Sequence, residues 1–161
     1  MLITVFLICA MLLVLYFDIT RYIIPNWLCG LLLILYPIGV YMSAVPVDWQ
    51  KGLMAMGIVF VVGYIIFSRN WMGGGDVKLL IVTSLWVGLA KLMDFMFFVA
   101  ILGGVLSVAL YIVRKLPLVV QRAQKMPRIL RVGEPVPYGI AISIGFLLMM
   151  KMGNIADVAM P

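Results

Sequence analysis

Two aspartates are placed so that they could do chemistry together. Asp18 follows the apolar run that opens the chain, in Phe17-Asp18-Ile19-Thr20-Arg21, and Ile24-Pro25-Asn26 comes just after. Asp76 follows three glycines, in Gly73-Gly74-Gly75-Asp76, and precedes Val77-Lys78-Leu79. Two carboxyl groups held close share one proton. One can then act as general base on a water while the other, protonated, polarises a carbonyl. That is the minimum equipment for aspartyl hydrolysis of a peptide bond. Taken singly, each residue also has a plain structural reading. Asp18 could pair with Arg21, one helical turn away, and Asp76 could cap the helix it precedes. The glycines lower helix propensity and let another element approach the backbone closely.

Hydrolytic chemistry here falls to carboxylates, lysine, tyrosine or serine. The chain has no histidine, which removes Ser-His and Cys-His hydrolases and the H-E-x-x-H metalloproteases. Its two cysteines, Cys9 and Cys29, lie in or beside apolar runs and form no close pair. They read as small hydrophobes rather than zinc ligands, so no metal and no cofactor is expected.

The elements that must position the aspartates are membrane helices. Of 161 residues, 66% are hydrophobic and 11% charged, and the apolar residues fall in long charge-free runs. The expected fold is an all-α integral membrane protein, a bundle of about six transmembrane helices in a single membrane-embedded domain, 1–161. The spans fall roughly at 1–17, 27–45, 52–68, 77–90, 93–113 and 137–155. The fourth is short for a bilayer that needs about 20 residues, and the Gly-rich stretch before it could extend it. The first run has no basic segment ahead of it and no small-x-small cleavage site, so it reads as a retained span.

Charge sets the orientation. Arg114, Lys115, Arg122, Lys125, Arg128 and Arg131 lie in one connection with no acid among them, so the loop 114–136 is expected in the cytoplasm. Counting back, 18–26 and 69–76 share that side, while 46–51, 91–92 and both termini face the other. Asp18 and Asp76 thus land on one face, and Asp48, Asp94 and Asp157 on the opposite one. No aspartate entered that count. Pro117 can start a helix within the basic loop, with Val119, Val120, Ala123 and Met126 near one side. Such a segment would lie on anionic lipid headgroups at 114–131. The loop lacks aromatic residues to stack on bases, so no nucleic-acid partner is expected.

Finer expectations follow from the helix ends. Asp76 lies near a helix N-terminus, which favours the anion, and Asp18 near a C-terminus, which disfavours it. The resting proton is therefore expected on Asp18, with Asp76 as base. Asn26 is expected as the N-cap of the second span, with Pro25 ending the preceding turn. Lys78 could pair with Asp76 or reach the headgroups. Glu134 reads as a solvated loop acid. Gly63, Gly88, Gly103, Gly104 and Ser107 read mainly as helix-packing positions.

These residues resemble the type IV prepilin peptidase family. Gly73-Gly74-Gly75-Asp76-Val77-Lys78-Leu79 matches its G-x-G-D-x-K-L motif, with Gly73, Gly75 and Lys78 at the motif positions. Asp18…Arg21…Ile24-Pro25-Asn26 resembles its first-aspartate motif, and Val136-Pro137-Tyr138-Gly139 its late V-P-Y-G element, where Ile140-Ala141 replaces the usual Pro-Ala. The resemblance implies an aspartic endopeptidase of the inner (cytoplasmic) membrane with Asp18 and Asp76 catalytic. It would cleave the short basic leader from prepilin-like substrates that carry a hydrophobic N-terminal helix. Larger members also carry a methyltransferase region with paired C-x-x-C motifs. This chain has none, so cleavage without N-methylation is expected, as in Flp-type (Tad) peptidases. The alternatives are another G-x-G-D intramembrane protease such as a preflagellin peptidase, a small proton- or cation-coupled transporter using the same aspartates, and a structural subunit.

Overall fold

A computed structural model describes residues 2–43, 46–116, 128–131 and 133–153. All regular structure among them is helical: α1 (Leu2–Arg21), α2 (Asn26–Met42), α3 (Trp49–Ser68), α4 (Gly74–Val87), α5 (Leu92–Arg114) and α6 (Tyr138–Lys151), with single 3₁₀ turns at Leu89–Lys91 and Arg128–Leu130. The six-helix, all-α expectation holds. The helices containing Leu2–Arg21, Trp49–Ser68 and Leu89–Arg114 are long and apolar enough to cross a membrane by themselves. The other three are shorter. α4 has 14 residues; it begins inside the Gly-rich stretch, ahead of the expected 77–90, and ends earlier, at Val87, so the fourth span is shifted and stays short.

Local chemistry explains the boundaries. α1 runs past Asp18 to Arg21, a turn beyond the expected end of the first span, and stops where Tyr22 turns left-handed at φ 56°. Asn70 does the same after α3, a conformation that non-glycine residues seldom adopt. Asp48 caps α3, accepting from the Lys51 backbone N–H and pairing with its ammonium at 2.7 Å. Gly88, at φ 74°, ends α4. The expected N-cap at Asn26 is corrected: Pro25 holds that position with an extended backbone, and Asn26 is the first helical residue.

Contacts fix the helix directions. The N-terminal ends of α2 and α4 meet through Lys78 and Asn26, and further along Trp86 Nε1 donates to the Leu32 carbonyl, so these two run parallel. α3 runs against α4, since Gly63 lies on Val77 and Gly52 on the Leu85 carbonyl. α6 runs against α1 and α5, with Ile140 beside Asp18, Tyr138 on Gly103, and Gly145 on Val99. The helices therefore alternate up and down. Asp18, Asp76, Arg114 and Lys115 gather at one end, while Asp48 and Asp94 lie at the other. This is the partition expected from charge. Asp157 and the segment Pro117–Met126 lie outside the described residues.

α4 is the centre. Leu79, Val82, Leu85 and Trp86 are buried in it, and the indole of Trp86 meets Tyr36 edge to face at 5.2 Å. α3 touches it along a stripe of small residues, Gly52, Ala55, Val59 and Gly63. Val5, Ile34, Phe60 and Val105 point outward and stay exposed, as befits helices solvated by lipid.

The glycines of α3 differ in what surrounds them. A β-carbon at Gly52 would strike the Tyr36 hydroxyl and lie 2.8 Å from the Leu85 carbonyl, whereas one at Gly57 meets nothing within 4 Å. Gly52→Ala should therefore destabilise the fold by about 1–3 kcal/mol through overpacking. Gly57→Ala should be neutral or stabilise by up to about 1 kcal/mol through helix propensity. Thermal melts in detergent or nanodiscs check the pair, and equal melting temperatures would contradict this packing.

Candidate active site

Asp18 and Asp76 converge. Both line one cleft of about 640 Å³ at an end of the bundle, walled by residues 22–24 and Asn26, by Phe67, by 70–75 and Lys78, and by 135–138. The cleft is where helix ends of opposite polarity meet. α1 arrives by its C-terminus, and α4 and α6 start there. The left-handed Tyr22 and Asn70 both line it, in keeping with the concentration of backbone strain at functional sites.

Asp18 is 3% exposed, so its carboxyl needs hydrogen bonds in place of water. They come from the start of α6. The Ile140 backbone N–H donates to Asp18 Oδ2 at 3.1 Å, and the Gly139 N–H lies within reach of both the Asp18 and the Asp76 carboxyl groups. The first N–H groups of a helix have no acceptor four residues back, and the Ile140 N–H reaches the Pro137 carbonyl as well, at a longer 3.4 Å. Pro137 sets the helix start with its fixed φ of −75°. Gly139 is required by space: a β-carbon there would lie 2.6 Å from Asp18 Oδ2 and 3.0 Å from the Ile24 side chain. Tyr138 packs its ring on Gly103 of α5 and lines the cleft.

Asp76 sits in the first turn of α4, half-buried, three residues after Gly73, which is the N-cap. Each of the three glycines makes room for a different neighbour. A β-carbon would lie 3.0 Å from the Asp76 carboxyl at Gly73, 3.2 Å from the Phe67 ring at Gly74, and 3.3 Å from Ile24 at Gly75. Their close-approach role holds, but Gly74 and Gly75 are helical rather than a loose turn.

Other expected neighbours are placed differently. Arg21 does not pair with Asp18. Its guanidinium lies 5.5 Å from the Phe17 ring centroid. Lys78 does not pair with Asp76 either. It donates to Asn26 Oδ1 at 3.2 Å and joins α4 to α2, while Pro25 starts α2 beside it. Sequence reasoning missed the Ile140 N–H, Ile24, Phe67 and Trp71. Ile24 lay inside a quoted motif, but nothing local marked it as the wall between two glycines. No group of three or more His, Cys, Asp or Glu residues that could hold a metal occurs among the described residues.

An all-helical bundle with apolar outer faces and two carboxyl groups in one terminal cleft defines a membrane protein equipped for acid–base chemistry. The sequence model of the type IV leader peptidase family matches residues 5–108, a span that includes Asp18 and Asp76. The chain belongs to this family and is a protease. Comparison with curated proteins and with solved structures returns no match.

Gly139 offers a direct check on the cleft. Gly139→Ala places a methyl group where the Asp18 carboxyl sits and should lower proteolytic turnover by about 100-fold, since an ångström-scale displacement of a reacting group has that effect. Gly104→Ala, where a β-carbon meets nothing, should leave turnover within about two-fold. Cleavage assays in reconstituted vesicles compare the two.

Proposed function

We propose that this protein is an aspartic endopeptidase that removes the short basic leader from type IV prepilin-like proteins, of the Flp type, at the cytoplasmic membrane face and without N-methylation. The observation that carries the reading is the convergence of Asp18 and Asp76, from helices remote in sequence, on one cleft at the basic end of the bundle. Arg114 and Lys115 mark that end as cytoplasmic by the positive-inside rule. A prepilin presents a positive leader in the cytoplasm and a hydrophobic helix in the bilayer, so its scissile bond arrives at the depth of the cleft. The basic residues of 114–131 attract anionic headgroups, and the whole chain acts as one membrane-embedded domain. With Cys9 and Cys29 as the only thiols, the chain has no paired C-x-x-C motif of the kind that accompanies methyl transfer in larger relatives.

The mechanism assigns the shared proton. Ile140 N–H occupies a lone pair of Asp18 Oδ2, and the positive end of α6 faces this carboxyl, so Asp18 is held as the anion. This assignment is opposite to the one expected from the ends of α1 and α4, where the N-terminus of α4 favours the anion on Asp76. Asp18 takes a proton from water, which attacks the scissile carbonyl. Asp76 carries the other proton and donates a hydrogen bond to the carbonyl oxygen as charge develops there. The proton gained by the base then goes to the leaving amine. Arg21, Pro25, Asn26, Lys78, Pro137, Tyr138 and Gly139 support these two groups rather than react.

Asp18→Asn and Asp76→Asn should each lower prepilin cleavage by about 1,000-fold or more, because either change removes half of the acid–base pair. A mixture of a Flp-type prepilin and an unrelated single-span substrate should yield cleavage of the prepilin only. Both variants retaining activity would end the aspartyl mechanism, and cleavage of both substrates would end the specificity. The rate should pass through a maximum with pH, falling in acid as the base is protonated and in alkali as the acid is lost.

A further inference from the structure

Arg114, the last residue of α5, makes a fork of hydrogen bonds to the segment that leads into α6. Its Nε and Nη2 donate to the Ile129 carbonyl at 3.1 and 2.9 Å, Nη1 to the Glu134 carbonyl at 2.6 Å, and Nη2 to the Pro135 carbonyl at 3.2 Å. Such charge-assisted bonds are about twice as strong as neutral ones, and the planar guanidinium fixes their directions as a point charge cannot. The segment has one 3₁₀ turn of its own, Arg128–Leu130, and the fork joins that turn to residues 134–135. Pro135 and Pro137 carry no N–H, and their locked φ angles transmit a displacement rather than absorb it. Tyr138 follows at once and starts α6, and its Gly139 and Ile140 N–H groups face the aspartates. Residues 135–138 are also a wall of the cleft, whereas Arg114 does not line it.

We propose that Arg114 is a positioning residue of the peptidase site, a clasp that sets the cleft wall and holds the first N–H groups of α6 on the Asp18 carboxyl. The inference rests on the peptidase reading. The clasp acts through three carbonyls and through Tyr138, whose ring lies on Gly103 of the same helix, so α5 holds the start of α6 at two points. It acts on turnover rather than on substrate capture because the guanidinium lies outside the cleft.

Two variants test it in reconstituted full-length protein. Arg114→Lys keeps the charge on a head that cannot span three carbonyls, and Arg114→Gln removes the charge. Each should lower kcat by about ten-fold or more with KM within about two-fold of the wild type. Amide hydrogen exchange should rise at 134–140 while α2 and α4 keep their protection. A kcat near the wild-type value, a loss carried by KM, or unchanged exchange at 134–140 would overturn the clasp. If one variant does not fold, the other decides. If neither folds, Arg114 is a determinant of folding and the proposal falls. Asp18→Asn in the same assay separates the two levels. Wild-type cleavage lost in Asp18→Asn, with normal Arg114 variants, removes the clasp and leaves the peptidase. A wild-type protein that cleaves no prepilin removes both.

Discussion

A carboxyl group that is nearly closed off from water must find hydrogen-bond donors within the protein, and here Asp18 finds them at the first turn of α6. The bond from Ile140 N–H spans 122 positions of sequence. It requires α1 to continue past its apolar run, α6 to start at that depth, and residue 139 to have no side chain. Pro137 and Tyr138 supply the second of these conditions and Gly139 the third. The Ile140-Ala141 dipeptide matters less by side chain, since the backbone is what Asp18 uses.

The second carboxyl is held by different means. Asp76 rides on the first turn of the central helix, so the packing that buries α4 also fixes the position of its start. α3, α2 and α6 all contact α4. Gly74 and Gly75 allow α3 and the chain between α1 and α2 to close around that start, and Gly73 leaves room for the Asp76 carboxyl. Asn26 and Lys78 add a polar tie between α2 and α4. Two helix N-termini, of α4 and α6, thus face the same cleft, and their positive ends favour keeping one negative charge there.

A division between a fixed frame and a held wall follows from this arrangement. α1 to α4 pack on one another through buried apolar contacts such as Trp86 with Tyr36. The approach to α6 is built from prolines, a left-handed Gly133 and the bonds of one arginine. Apolar packing is redundant, because many contacts share the burden. A segment with a single 3₁₀ turn of its own draws more on the groups that reach it.

The sequence by itself determined the class of the protein. Long apolar runs and sparse charge marked a helical membrane protein, and the absence of histidine removed the histidine-dependent hydrolases. The bias of basic residues placed Asp18 and Asp76 at one end, because that bias and hydrophobic run length are one-dimensional properties. Only the tertiary structure decided which groups serve them. Arg21 turned to Phe17, Lys78 to Asn26, and Pro25 took the cap expected of Asn26. The ends of α1 and α4 pointed to a proton on Asp18, and folding adds the N–H donor of Ile140 at that carboxyl. Each of these outcomes depends on groups brought close by folding from far along the chain, and local spacing carries no record of that proximity.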